Sequence, residues 1–394
     1  MRTIVVGAGI AGLWIAEQLA LRGDQVTVLE KTDRLGGRIE TSTIGLEIGA
    51  GRIATNHTRV RALARRFDLA LFPIPDGGLW KAVGDADSQP NTFDETWYPI
   101  LERIAALDPQ ILATHTLREL AVKIMGSAFT ENLLIQFGFR AETEVLRADL
   151  GVRAFRHEMG GGASFMGIRG GLEKLITGLA AAAAAAGVMI RLNTTVLDVS
   201  PTYAVKTAEG TLSADRVILA LPSFAAAKLP CMRPFKPLRH LQMEPLTRIY
   251  AKFVTPWYLK QRLVTDSPLR FIIPIIPDLG LVMISYTEAQ DTRRFKGLSG
   301  LALIEALTYE LLRLFPEQGM PVILWATAYE WSHGCTYWLP GTYDPVAESA
   351  AALQPFPKTQ PHLHLCNESF SLRQAWIEGS LEHATALLSL IKEH

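Results

Sequence analysis

The chain has 394 residues, 39 basic and 39 acidic side chains, a formal net charge of zero and three cysteines. That length can bury a large core and suits two joined domains, while the charge balance gives no basic field for nucleic acid. Cys231, Cys335 and Cys366 are too few and too widely spaced for a disulfide framework, which suits a reducing, cytoplasmic compartment.

The N-terminal "MRTIVVGAGIAGL" runs directly into structure and lacks the charged, apolar and cleavage regions of a signal peptide. "TIVVGAG" reads as an apolar β-branched strand, "IAGLWIAEQLALRG" as a helix that stops at Gly23, and "QVTVLEK" as the next strand. In this βαβ unit Gly7, Gly9 and Gly12 form a GxGxxG turn, followed by Ile10 and Ala11 at the helix start. Backbone N–H groups there can meet a pyrophosphate. Glu30 ends the second strand, eighteen residues after Gly12, where an acid can bind a ribose hydroxyl, with Lys31 beside it. GxGxxG alone is a weak signal; strand, helix, strand and terminal acid together indicate a dinucleotide site.

"LEIGAGRIATN", residues 46 to 56, places Arg52 directly after Gly49, Ala50 and Gly51. Glycines allow close approach of the backbone, and a guanidinium fork suits a phosphate or a carboxylate. Downstream, "WYPILERIAAL", "LRELAVKIM" and "ENLLIQFGF" read as helices, and "GIRGGLEKLITGLAAAAAAAG" as a helix ended by Gly187. Its seven alanines suggest close packing on a sheet, and the apolar stretch is too short to span a bilayer. "MIRLNTTVLDVS", "YAVKTAEG" and "RVILALP" read as strands. "RIYAKFVT", "RFIIPII" and "LVMISYT" suggest a second sheet. "ALIEALTYELLRLF" is a helix, "VILWATAYEW" a strand and "WIEGSLEHATALLSLIK" a terminal helix. His362 and His364 alternate on a strand without enough neighbouring ligands for a metal site. His157, His333 and Tyr286 are background candidates for polar groups in a pocket.

"EKTDRLGGRIET" following the strand-terminal acid resembles the flavin amine oxidases, which include monoamine, polyamine and L-amino-acid oxidases. The resemblance implies an α/β fold: a Rossmann-like, glutathione-reductase-like FAD domain from residues 1–75, 165–235 and 320–394, with a discontinuous α+β substrate domain from 76–164 and 236–319. It implies that Gly36, Gly37 and Arg38 contact the FAD diphosphate and flavin, with Arg34 a second basic contact. "RGGLEKLITGL" resembles the family's re-entering helix, Val196 in "TTVLDV" the valine at the adenine, and "LHLCNESFSLRQAWIEGSLEHATALL" the closing strand and helix. Glu368 takes the position that contacts ribitol or pyrophosphate, after Asn367 where the family usually has glycine. Trp376 and Ile377 fall beside the flavin.

The same resemblance implies hydride transfer from the α-carbon of an amine or L-amino acid to flavin N5, imine hydrolysis, and reduction of O2 to hydrogen peroxide. The partners are small molecules, with no membrane span, and a homodimer is compatible. Trp376 matches one aromatic wall; Tyr337 or Trp338 in "EWSHGCTYWLPG" supplies the other. Cys335 in "SHGC" resembles the covalent flavin site of monoamine oxidases, although the spacing favours non-covalent FAD. The family's flavin lysine aligns with Arg248 in "LTRIYAKFVTPWYL", and Lys252, four residues on, faces the same way on a regular strand. Arg52 and the following "RRFDLALFPIP" resemble L-amino-acid oxidases, whose arginine grips the substrate carboxylate; Arg52, with Gly51, is also compatible with a flavin-side role, and Arg52 with bracing Glu47 or Asp68. Two alternatives stay open: a flavin desaturase or porphyrinogen-type oxidase with a large apolar substrate, and a flavin-binding protein without turnover.

Overall fold

The computed structural model describes residues 1–74, 78–159, 164–257, 259–319 and 321–391. Pro75, the last residue of the stretch "RRFDLALFPIP", and Lys392, the last of the expected terminal helix, lie outside them.

A five-stranded sheet runs in the order Leu363–Leu365, Arg216–Leu219, Arg2–Val6, Gln25–Leu29, Met189–Arg191. All its pairings are parallel. Parallel strands need cover on both faces, and Arg2–Val6 shows why its sequence is continuously apolar. Val5 packs into one core with Ile15, Leu19, Val28 and Leu179. Ile4 and Val6 pack into a second core with Val217, Leu219 and Phe370. The first face is covered by helices Ile10–Leu21, Glu173–Ala185 and Ile377–Leu390. The alanine-rich helix buries Leu175, Ile176, Leu179 and Ala183 as its inner stripe. The second face meets a three-stranded antiparallel sheet, Val196–Val199, Ala204–Thr207 and Thr211–Ser213, through Val199 and Val205.

A seven-stranded sheet forms the other half. Its order is Ile323–Trp338, Leu241–Phe253, Leu281–Glu288, Phe271–Ile276, Leu263–Thr265, Leu79–Lys81, Gln89–Pro90. Helix Gly300–Leu314 packs on it through Leu303, Leu307 and Leu311. The helical block from Phe93 to Ala154 has its own core around Trp97 and Phe155.

Two features differ from the sequence expectation. Residues 79–81 and 89–90 are strands of the second sheet inside the segment read as helical. Ile323–Trp338, placed by sequence with the nucleotide half, pairs along its length with Leu241–Phe253. The strand expected over "VILWATAYEW" therefore continues through "SHGCTYW". Gly334 permits this because a Cβ there would sit 2.6 Å from Leu246 Cβ, where the pairing bulges between Glu244 and Leu246.

Candidate active site

A cleft of about 750 Å³ runs between the two sheets. One end is built by the first βαβ unit. Gly7 has φ of +103°, and a Cβ there would lie 2.6 Å from Ala220 O, so the turn requires glycine. Gly12 faces away from the cleft; a Cβ there would meet Gly7 O at 2.0 Å, and its absence lets the helix seat on the turn. No side chain among the described residues caps helix Ile10–Leu21, and no acid stands in its first turn. Gly9, Ile10 and Ala11 line the cleft, so the open N–H groups and positive end of the helix face it. Glu30 is held there by Ala8 N–H at 2.9 Å and by Thr32 N–H and hydroxyl at 3.0 and 2.9 Å. Lys31 and Val196 line the same end. A glycine cradle, an uncapped helix start and a fixed carboxylate fit the diphosphate and ribose of a dinucleotide.

Arg34 and Arg38 line the cleft with Gly36 and Gly37, already engaged with protein partners. Arg34 pairs with Glu40 at 2.8 Å and donates to Gly37 O at 2.6 Å. Arg38 donates to Glu368 Oε2 at 2.6 Å and to Gly334 O at 2.9 Å. Glu368 is buried and also accepts from Ala375 N–H at 2.7 Å. Asn367 lines the cleft, and its side chain accepts from Ser369 N–H at 3.0 Å. These bonds tie the glycine-rich loop, the long strand and the closing segment into one wall.

Midway, Arg248 is buried and its Nη1 donates to Glu47 O at 3.0 Å. The guanidinium stands 4.8 Å from the Tyr286 ring. Gly51 makes room for it: a Cβ at 51 would lie 2.5 Å from Arg248 Nη1. Lys252 is elsewhere, outside the cleft lining, its ammonium bonded to Leu279 O and Phe253 O. Four residues of strand span about 13 Å, and the pairing shifts between Ile249 and Tyr250, so the same-face argument does not bring both cations to one point.

At the far end Arg52 stands 4.4 Å from the Phe165 ring and 5.4 Å from both Phe139 and Trp376. Among the described residues its guanidinium makes no ion pair. Burial lowers its pKa, with Arg248 adding to the effect and Tyr286, Glu142 and Glu288 opposing it. Trp376 stacks near Phe165 at 5.9 Å and meets the His57 ring edge-on at 5.0 Å. His57 Nε2 lies 3.0 Å from Glu158, which Arg373 also holds at 2.8 Å. Ile377 lines the cleft beside Trp376.

Tyr337 lines the cleft and donates to Glu142 Oε1 at 3.0 Å. Trp338, its strand neighbour, points the other way and is core, donating to Ser371 O at 3.0 Å. Of the two aromatic candidates only Tyr337 reaches the cleft. Cys335 lines it too, its thiol pKa raised by burial and then by Glu288, Glu368 and Glu142. Tyr286 and His333 are also lining residues, whereas His157 is exposed outside the cleft. His362 and His364 border the parallel sheet at its edge strand, and His364 Nδ1 is 2.8 Å from Leu353 O.

Sequence reasoning missed Glu142 and Glu288. Both are buried, both line the cleft, and both have raised pKa values, first from burial. Glu142 lies in "RAETE" and Glu288 ends the strand "LVMISYTE"; an acid in such a helical segment resembles a solvated face, and only the tertiary fold brings the two together.

The family model for flavin-containing amine oxidoreductases matches residues 10–386. The L-amino-acid oxidase of Crotalus adamanteus is 24% identical over 449 residues, covering 97% of this chain and 85% of that protein. The L-amino-acid oxidase BmooLAAO-I of Bothrops moojeni is 25% identical, covering 97% and 87%. A cofactor-binding redesign of putrescine oxidase superposes with a TM-score of 0.77 at 18% identity, covering 99% of both chains. A structure from Exiguobacterium sp. 255-15 that is named for protoporphyrinogen oxidase gives 0.76 at 17%, covering 99% and 98%. With a nucleotide cradle at one end of the cleft and a caged cation at the other, and a family match along nearly its whole length, the chain belongs to the flavin-containing amine oxidoreductases.

Proposed function

We propose that this FAD-dependent oxidoreductase is an L-amino-acid oxidase and that Arg52 binds the α-carboxylate of its substrate. Arg52 carries the reading. A guanidinium in an aromatic cage, facing a cleft and without an ion-pair partner among the described residues, is a ready anion site. The L-amino-acid oxidases among its relatives add weight. Gly7 to Ala11, Glu30, Lys31, Arg34, Gly36 to Arg38, Val196, Asn367, Glu368 and Ile377 would hold the FAD, without a covalent bond.

FAD, when bound, supplies the acceptor for the hydride leaving the substrate α-carbon, and O2 is the final oxidant. The chain's own residues do the rest. Arg52 fixes the carboxylate, and Trp376, Phe165 and Phe139 hold Arg52 in place and exclude water around it. Tyr337 forms the opposite aromatic side. Arg248 keeps a fixed positive charge midway along the cleft. An amine without a carboxylate is the second reading, favoured by the buried carboxyls Glu142 and Glu288 that line the same cleft.

The test is anaerobic mixing of the yellow protein with L-amino acids and with their decarboxylated amines. Bleaching by amino acids is expected, with an apparent affinity that Arg52→Ala weakens on the order of 100-fold, about the worth of two charge-assisted hydrogen bonds. Bleaching by amines alone sinks the carboxylate role.

A further inference from the structure

Glu142 and Glu288 come from distant parts of the chain, the short helix Ala141–Glu144 and the end of strand Leu281–Glu288. They meet on the cleft wall with Arg52. Glu288 Oε1 accepts from the N–H groups of Arg140 and Ala141. Glu142 Oε1 accepts from Tyr337, and the Glu142 carboxyl lies within hydrogen-bond reach of Glu288, while its buried Oε2 receives no N–H or O–H from any other described residue. Two neighbouring carboxyls in a buried site do not both ionise. Burial, then Glu142, raises the pKa of Glu288 well above the usual range. Double ionisation of the pair is therefore disfavoured, and a pair sharing one proton still has a carboxylate able to take a second.

The charged and titratable groups around the pair are Arg52, Tyr337, Tyr286 and Cys335 on the cleft side, with Arg248 beyond Tyr286, and Arg140 and Asp291 behind Glu288. Glu142 and Tyr337 also line a smaller cavity of about 30 Å³, walled by Arg153, Glu158 and Arg373, with room for a water or two. The cleft thus offers a guanidinium without an ion pair among the described residues and a buried carboxyl pair. That combination matches a zwitterion.

An ammonium group has no lone pair, and its α-hydrogen does not leave as hydride until a proton is lost. We propose that the Glu142–Glu288 pair is the internal acceptor of that proton. The substrate enters as the ammonium form, its carboxylate on Arg52. One N–H bond breaks, its electrons remain on nitrogen, and the proton forms an O–H bond at Glu142 Oε2. The pair becomes doubly protonated and neutral, the substrate becomes the oxidisable amine, and charge and atoms balance. After turnover the proton leaves through the smaller cavity, which Glu142 also lines. The assignment rests on the amino-acid reading above.

The experiment is the pH dependence of anaerobic flavin reduction in the holoenzyme, read as kcat/KM. With an internal acceptor the abundant ammonium form is productive, so the wild type holds its rate through neutral pH. Glu142→Gln reacts only with the scarce neutral amine. It loses on the order of tenfold for each pH unit below the substrate's amine pKa and recovers at high pH. A substrate whose amine pKa is lowered by fluorine restores Glu142→Gln at neutral pH. The wild-type pH profile gives the same information without a variant: a flat kcat/KM below the amine pKa is expected, and a tenfold fall per pH unit there overturns the proposal. A pH-independent loss in Glu142→Gln, or no loss, also overturns it and makes Glu142 structural. If neither amino acids nor amines bleach the flavin, the functional reading itself has failed; if amino acids bleach it but wild type and Glu142→Gln share one pH profile, only the proton acceptor has.

Discussion

Gly51→Ala tests the packing that sets the middle of the cleft. The new Cβ would lie 2.5 Å from Arg248 Nη1 and 2.9 Å from Nη2. A guanidinium is the movable end of a long side chain, but this one is buried, bonded to Glu47 O at 3.0 Å and faced by Tyr286 at 4.8 Å. Relief of the clash requires it to leave Glu47 O. A lost charge-assisted bond costs about 1.5–3 kcal/mol, and overpacking a filled site costs about 1–3 kcal/mol. Because both describe the same displacement, Gly51→Ala is about 1.5–3 kcal/mol destabilising. Arg248→Ala removes the obstacle. In that background the same substitution is near neutral or stabilises by about 0.4–1 kcal/mol, because alanine restricts the unfolded chain. The two changes are thus strongly coupled, and urea denaturation of wild type, both single variants and the double variant measures the coupling. Additivity within about 0.5 kcal/mol would refute the contact between Gly51 and Arg248.

Two further outcomes follow from the buried acids and the thiol. Glu288 has its pKa raised in the folded state above the unfolded value of about 4.3. The folded chain therefore keeps a proton that the unfolded chain has lost. The associated stability is full below the unfolded pKa and falls as pH rises toward the folded one, by up to about 1.4 kcal/mol per unit. Glu288→Gln removes that slope, so the drop in melting temperature between pH 5 and pH 8 should be smaller than in wild type; an equal drop contradicts a protonated Glu288. Cys335 has a thiol pKa raised by burial and neighbouring acids, and the thiolate is the reactive form. Acid precipitation is therefore expected to leave the flavin in the supernatant for wild type and Cys335→Ala alike, and a yellow wild-type pellet refutes non-covalent binding.

The glycine-rich end of the cleft was legible in the sequence because its geometry is local. Gly7, Gly9 and Glu30 act through one turn and two adjacent strands, and their spacing survives in the linear chain. The same holds for the alanine-rich helix, whose buried Leu175, Ile176 and Leu179 follow helical spacing. The far end is not local. Glu142 and Glu288 are 146 residues apart and meet only because strand Leu281–Glu288 ends against the helical block. Lys252 shows the reverse limit: alternation placed it with Arg248, but strand rise and an irregular pairing near Tyr250 carry it to the Leu279 turn. Trp338 and Tyr337 were indistinguishable as aromatics, and the strand's alternation separates them into core and cleft.

The position of Arg248 bears on how the proton moves. Resemblance aligns it with a lysine, and an ammonium can give up a proton where a guanidinium does not. Arg248 therefore contributes a constant positive charge and leaves proton transfer to other groups. With Arg52 it brings two positive charges to the cleft, and a Glu142–Glu288 pair sharing one proton would return one negative charge. A zwitterionic substrate leaves that balance unchanged, and moving its ammonium proton onto the pair only redistributes charge within the cleft. On this assignment a decarboxylated amine, entering as a cation, would bring a second uncompensated positive charge beside Arg52. That like-charge repulsion in a poorly solvated site disfavours the amine relative to the amino acid even before Arg52 makes a bond. Discrimination between the two should consequently shrink in Arg52→Ala from both sides: the amino acid loses its carboxylate partner while the amine gains affinity. Better amine binding in Arg52→Ala than in wild type, measured by the same anaerobic titration, is the signature of that charge balance, and unchanged amine binding would show that Arg52 acts by hydrogen bonding alone.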